Sequence, residues 1–135
     1  MKKLLVLLVL VMTSVSMFSQ ITSNGKPEVL KSFRMGNCKL INTDGAISIE
    51  ATVLEATGLK MTVQLGNKGQ ATAILQSMVD YKPAKGETVS LNNPSDNEAE
   101  YRKLMGDWLI LSRSNITSIS VTKGEMKKMI TALSK

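Results

Sequence analysis

The sequence predicts an α+β fold: an antiparallel β-meander sheet with two or three short helices packed on one face, preceded by a cleaved signal peptide. Three patterns support this: an apolar N-terminal run, period-two alternation over residues 28–66, and helical spacing of apolar residues near the C-terminus. The chain of 135 residues has the size of one small domain. We therefore divide it into a signal peptide (1–19), a flexible linker (20–27) and a single α+β domain (28–135).

The N-terminus has the features of a bacterial secretory leader. Two lysines precede the apolar run Leu4–Met12, and small residues follow. We expect cleavage after Ser19, with the pair Ser14 and Ser16 as the alternative site and an uncleaved anchor as the alternative to export. The apolar run is short of the roughly 20 residues that a membrane helix needs. The expected location is therefore secreted or periplasmic, without a stable membrane span after cleavage.

The first half of the domain reads as four strands, at about 29–35, 38–43, 46–55 and 59–65. The dipeptide Asp44-Gly45 between two apolar runs is a strong signal for a two-residue hairpin. The fourth strand should have one buried face, made of Leu59, Met61, Val63 and Leu65. Its other face, with Lys60, Thr62 and Gln64, should meet solvent.

The period then changes to that of a helix at about 70–81, where Ala71, Ile74, Leu75, Met78 and Val79 form one stripe. A strand is the alternative, because some of these residues also fit period two. A short strand is expected at 88–91. The sequence Ser95-Asp96-Asn97-Glu98 has the form of a capping box, which predicts a second helix that ends near Gly106.

The last third predicts two further strands and a final helix. Trp108–Leu111 is an uninterrupted apolar strand, and a further strand runs towards Val121. A capping box, Thr122-Lys123-Gly124-Glu125, starts a helix with the stripe Met126, Met129, Ile130 and Leu133. We expect this helix to pack on the sheet rather than lie on a membrane, because so short a helix is unstable alone. No internal repeat is visible.

One local resemblance supports the same strand and helix. The stretch Asn115–Gly124 resembles the Asp-Ile-x-Ser-Ile-x-Val-x-Lys-Gly segment of TonB-dependent receptor plug domains, where a strand leads into a helix. It covers ten residues, and we take from it only the local strand and helix.

Composition argues against several chemistries. The chain has no His and one Cys, so histidine-based nucleophile activation, histidine metal sites and an intramolecular disulfide are excluded. Cys38 is expected to be a small buried hydrophobe, with an intermolecular disulfide or a reactive thiol as the alternative. We predict no catalytic, cofactor-binding or metal-binding residues, and no cofactor.

Charge argues against nucleic acid as a partner. Removal of residues 1–19 leaves 15 basic and 11 acidic residues, and the lysines, among them Lys31 and Lys68, are scattered along the sequence. Nucleic-acid-binding proteins concentrate such charge on one face and interleave it with aromatic residues. Aromatic residues make up only 4% of this chain.

Two motifs match those of penicillin-binding enzymes, namely Ser120-x-x-Lys123 and Ser95-Asp96-Asn97. Their order is reversed and the Lys-Thr-Gly motif is missing, so we interpret both as helix caps. The carboxylates of Asp96, Glu98 and Glu100 are interpreted as the solvated start of a helix.

Two hypotheses of function remain, with a small hydrolase as a third. The first is a non-catalytic protein-binding domain that uses a sheet face or a sheet edge. The second is a carrier of a small apolar ligand held between sheet and helices. A cavity of a few hundred Å³ would favour the carrier, and a fully packed core would favour the interaction domain.

Overall fold

A computed structural model describes residues 26–84 and 86–135 of the chain. The predicted signal peptide and most of the predicted linker lie outside these residues. The strands are β1 (Glu28–Phe33), β2 (Cys38–Thr43), β3 (Ala46–Thr52), β4 (Lys60–Gly66), β5 (Thr88–Ser90), β6 (Glu98–Arg102), β7 (Asp107–Leu111) and β8 (Ser118–Thr122). The helices are α1 (Lys68–Asp80) and α2 (Lys123–Leu133). The predicted α+β class is confirmed.

The strands form two four-stranded sheets, in the orders β1-β2-β3-β4 and β5-β6-β7-β8. All neighbouring strands are antiparallel. A helix follows each sheet directly, so the element order β-β-β-β-α occurs twice. The prediction of a single meander is therefore wrong, and the fold contains a structural repeat that the sequence does not display.

The first sheet matches the predicted strands closely. Asp44 and Gly45 both have positive φ, at 53° and 91°, as the predicted hairpin requires. The Asn42 side chain stabilises this turn by accepting a hydrogen bond from the Gly45 amide at 2.7 Å. In β4 the expected alternation holds for Val63 and Leu65, which are buried, whereas Leu59 precedes the strand and is half exposed.

The second predicted helix is instead a turn followed by β6. Ser95 does not cap Glu98, because its hydroxyl donates to Asn97 Oδ1 at 2.6 Å and accepts from the Gln64 amide at 3.0 Å. Asp96 lies in the left-handed region, with φ of 54°, which reverses the chain. Ala99 is buried in the strand that follows, between two glutamates at positions 98 and 100.

Both observed helices begin with a capping box immediately after the fourth strand of their sheet. In α1 the pair is Asn67 and Gln70, and in α2 it is Thr122 and Glu125, as predicted. The first helix begins and ends within two residues of its prediction, and the strand alternative for 70–81 is wrong.

The two helices pack against each other, and their buried residues belong to the same core as both sheets. The apolar stripe of α2 is buried at Met126, Met129 and Leu133, so this helix packs as expected. Cys38 is also buried, and burial raises the pKa of its thiol to about 11. In residues 26–84 and 86–135, no helix is long and apolar enough to cross a bilayer.

Candidate functional site

The structural repeat produces two comparable depressions, each between the helix of one β-β-β-β-α unit and the first strand of the other. The apolar groove lies between α1 and β5, and it is bounded by Ile74, Ser77, Met78, Tyr81, Val89, Leu91 and Pro94 over a floor of Leu65 and Trp108. The basic cavity lies between α2 and β1, and its lining includes Lys31, Lys68, Lys128 and Lys135.

The floor of the apolar groove is held rigidly by Trp108. This residue is fully buried, and its indole Nε1 donates to the carbonyl oxygen of Met78 at 2.9 Å. Its ring also contacts the rings of Tyr101 and Tyr81, at centroid distances of 5.3 and 6.3 Å. These distances fall in the range of favourable aromatic pairs. The floor is thus part of the core and is not expected to rearrange on binding.

The rim of the apolar groove is open to solvent. Ser77, Tyr81 and Asn92 are exposed, and α1 has almost no residues in contact with β5. The Tyr81 hydroxyl donates to Glu87 at 2.6 Å, and this hydrogen bond raises the pKa of Tyr81 and lowers the pKa of Glu87. The open volume is about 550 Å³, which is within the usual size of a ligand site.

One wall of the apolar groove is a sheet edge with unpaired backbone. The Leu91 amide donates to the carbonyl oxygen of Asn97 at 3.0 Å, which marks a hydrogen-bonded pair. Bonded pairs alternate in an antiparallel ladder, so the next one is Val89 with Ala99. The N–H and C=O groups of Thr88 and Ser90 therefore point away from β6. No hydrogen bond within the described residues reaches them.

The outer edge of β8 shows the opposite situation. Its Ser118 carbonyl oxygen accepts from the Leu54 amide at 2.9 Å, and its Ser118 amide donates to Glu55 at 2.7 Å. The Ser120 carbonyl oxygen accepts from the Arg34 guanidinium at 2.6 Å. Backbone and side chains of the first unit thus bind three backbone groups of this edge.

The edge of β4 is covered in part by the loop between β5 and β6. The Asn93 side chain donates to the Gln64 carbonyl oxygen at 2.7 Å and to Asn97 Oδ1 at 2.9 Å. Asn97 in turn donates to the Leu111 carbonyl oxygen at 2.8 Å. Because Asn93 and Asn97 are buried, these bonds fix the loop that carries the far rim of the apolar groove.

Two ion pairs lie away from both depressions, one between the two units and one within the second unit. The Arg34 guanidinium binds both carboxylate oxygens of Glu125, and Arg102 binds both oxygens of Asp107. Asp107 also accepts from Ser120. Burial opposes ionisation of Asp107, but the hydrogen bonds from Arg102 and Ser120 outweigh it and lower the pKa of the carboxyl group.

The catalytic motifs considered from the sequence are not assembled. Ser120 is bound to Asp107, whereas the Lys123 ammonium lies 4.7 Å from the centre of the Tyr101 ring. Ser95 and Asn97 serve the β5–β6 loop, and Asp96 faces Arg113 at 4.0 Å. In the described part of the chain, no group of three or more Cys, Asp or Glu side chains could hold a metal ion.

The chain matches no family model, no curated protein and no solved structure with which it was compared. Sequence reasoning predicted no site residues and missed both depressions. The sequence alone shows only that Ile74, Met78 and Trp108 are apolar, and apolar residues are equally typical of a hydrophobic core.

Proposed function

We propose that the protein is a non-catalytic binding domain that takes up an extended segment of a partner protein at the edge of β5. The observation that carries this proposal is the coincidence of a strand edge that is unpaired within the described residues with an open apolar groove. Thr88 and Ser90 offer two amides and two carbonyl oxygens along that edge. A partner segment that adds to β5 would satisfy all four groups.

The groove supplies the specificity that backbone pairing lacks. In an added strand every second side chain points to the same face. Those on the groove side would meet Ile74, Met78 and Leu91, so apolar residues at alternate positions are favoured. The partner segment is therefore expected to have apolar residues at positions i and i+2.

Two other sheet edges, those of β8 and β4, give the proposal its contrast. Residues of the first unit bind the backbone of β8 at Ser118 and Ser120, and Asn93 with Ser95 binds Gln64 of β4. Exposed strand edges are usually blunted or covered, because they invite pairing with other chains. An edge left open beside an apolar groove is consistent with selection for such pairing.

Selection from a displayed library of random peptides against the purified protein tests the proposal. We expect enriched peptides with alternating apolar residues and no common charge pattern. Ser77→Glu places a charge in the groove and should weaken their binding by about tenfold or more, because an apolar side chain would then have to bury that charge.

The matched control is Gln76→Glu, which adds the same charge to an exposed position of α1 outside the groove. It should change peptide affinity by less than about twofold. Failure to enrich any peptide, or equal weakening by the two variants, would contradict strand addition at this groove.

The volume of about 550 Å³ favours a second candidate, a carrier of a small apolar ligand in the same groove. The groove is open to solvent and its floor residues Leu65 and Trp108 are buried, so such a ligand would lie in an open depression. Mass spectrometry of organic extracts of the purified protein distinguishes the two. A carrier should release a bound apolar molecule, whereas a peptide-binding domain should release none.

We also propose that the protein is exported, on the basis of its N-terminal sequence alone. Expressed with its leader in a bacterium, it should lose about 19 residues and leave the cytoplasm, with a mature N-terminus at Gln20. An intact Met1 on cytoplasmic protein, measured by mass spectrometry, would rule out this export.

A further inference from the structure

The second depression differs from the first in chemistry, and nothing in the proposed function uses it. The basic cavity has a volume of about 570 Å³. Its lining holds four lysines and one acidic residue, Glu28. The lysines come from three separate parts of the chain, because Lys31 belongs to β1, Lys68 to α1, and Lys128 and Lys135 to α2 and the residues directly after it.

No Asp or Glu side chain among the described residues forms an ion pair with these lysines. None of the three ion pairs found there involves a lysine. Lys68 Nζ donates to the main-chain oxygen of Lys135 at 3.1 Å, which positions the ammonium group. The carboxyl end of α2 adds only about half of a negative elementary charge. The lining of the cavity therefore carries more positive than negative side chains.

The floor between the lysines is apolar. Ile47 is buried, and Leu30 and Ala132 are half buried, so a ligand would meet hydrocarbon there and ammonium groups at the rim. Ammonium groups act as compact point charges that suit phosphate and carboxylate oxygens. A ligand with several acidic groups could contact ammonium groups of all three segments at once.

We propose that the basic cavity binds a compact organic anion that carries at least two phosphate or carboxylate groups. The anion is either a free small molecule or the headgroup of an anionic lipid, since both present the same acidic groups. This site is separate from the apolar groove, because the two depressions share no lining residue.

Calorimetric titration of the purified protein with inorganic triphosphate at low ionic strength tests the proposal. We expect measurable binding that weakens by about tenfold or more in the double variant Lys31→Gln/Lys128→Gln. The matched control, Lys60→Gln/Lys127→Gln, removes the same charge from exposed lysines outside the cavity and should change the affinity by less than about twofold.

Sedimentation with vesicles distinguishes the two sources of the anion. If a lipid headgroup is the ligand, vesicles that contain cardiolipin, whose headgroup carries two phosphates, should bind the protein, and phosphatidylcholine vesicles should not. The Lys31→Gln/Lys128→Gln variant should bind the cardiolipin vesicles more weakly than the Lys60→Gln/Lys127→Gln variant. Chemical-shift mapping of the unmodified protein with triphosphate is independent of variant folding, and its largest changes should fall at Lys31 and Thr131. The proposal would be overturned if neither triphosphate nor vesicles bind, or if the largest chemical-shift changes fall elsewhere in the protein. Equal loss of affinity in the two double variants would also overturn it.

Discussion

The apolar groove and the basic cavity occupy corresponding places in the two β-β-β-β-α units, yet they differ in almost every property. α2 packs against β1, whereas α1 leaves β5 nearly free of contacts. The apolar groove is therefore open beside the edge of β5, whereas the basic cavity lies between a helix and a strand that contact each other. A repeated architecture has thus produced two depressions that suit different classes of ligand.

The two depressions also differ in the burial of the residues that define them. The floor of the apolar groove belongs to the core, since Trp108 and Leu65 are both buried. The charged rim of the basic cavity consists of exposed lysines. Substitution of the floor residues of the apolar groove should therefore disturb folding. Substitution of the lysines of the basic cavity should disturb only binding.

The largest expected effect is at Trp108. Trp108→Ala removes a fully buried ring, its hydrogen bond to Met78 and its two aromatic contacts. We expect a loss of about 3–5 kcal/mol in the free energy of unfolding, measured by urea denaturation. Lys128→Ala in the basic cavity should change it by less than about 0.5 kcal/mol. Similar values for the two variants would remove the energetic contrast between the depressions.

A smaller effect is expected at Asn97, which fixes the rim of the apolar groove only. Asn97→Ala removes the donor to the Leu111 carbonyl oxygen and the acceptor that the Asn93 amide group and the Ser95 hydroxyl share. We expect a loss of about 1–3 kcal/mol and faster hydrogen exchange at the Leu91 amide, which donates to the Asn97 carbonyl oxygen. Exchange at Leu30, beside the basic cavity, should be unchanged apart from the effect of global stability.

The smallest effect concerns Asp107, which joins β7 to β6 and β8 away from both depressions. Asp107→Asn should lower the free energy of unfolding by about 1–2 kcal/mol at neutral pH, because it weakens the bonds to Arg102 and Ser120. The pKa of Asp107 is lowered in the folded state, so its stabilisation is complete above the unfolded pKa of about 3.9. It is lost as the pH falls through the folded pKa.

Denaturant unfolding of the wild type and of Asp107→Asn, measured as a function of pH, gives the contribution of the Asp107 carboxylate to the free energy of unfolding. The gap between wild type and Asp107→Asn should be constant near neutrality and should shrink below about pH 4. A gap that widens on acidification would mean that the carboxyl group is destabilised by burial rather than stabilised by its partners.

Much of the first unit could be predicted because its local patterns agree. The alternation along β4 and the Asp44-Gly45 turn both specify the same meander, and the structure has that meander. In the second unit two patterns conflict. Ser95 and Glu98 have capping-box spacing, but the alternation of Ala99 and Tyr101 with charged neighbours indicates a strand. Pairing with β7 decided in favour of the strand.

Neither depression could be predicted, because each forms from segments that are distant in sequence. Lys31 and Lys68 look scattered along the chain, and only the packing of α2 against β1 brings them to one cavity with Lys128. The unpaired edge at Thr88 depends on strand order, which local periodicity does not specify. The structural repeat was hidden because the equivalent strands have different residues.

Amide hydrogen exchange along β5 tests the central claim most directly. In the free protein the amides of Thr88 and Ser90 should exchange rapidly, while those of Val89 and Leu91, which face β6, should be protected. Addition of a peptide selected for binding should protect Thr88 and Ser90 as well. Slow exchange of both amides in the free protein, or no added protection with bound peptide, would contradict strand addition at this edge.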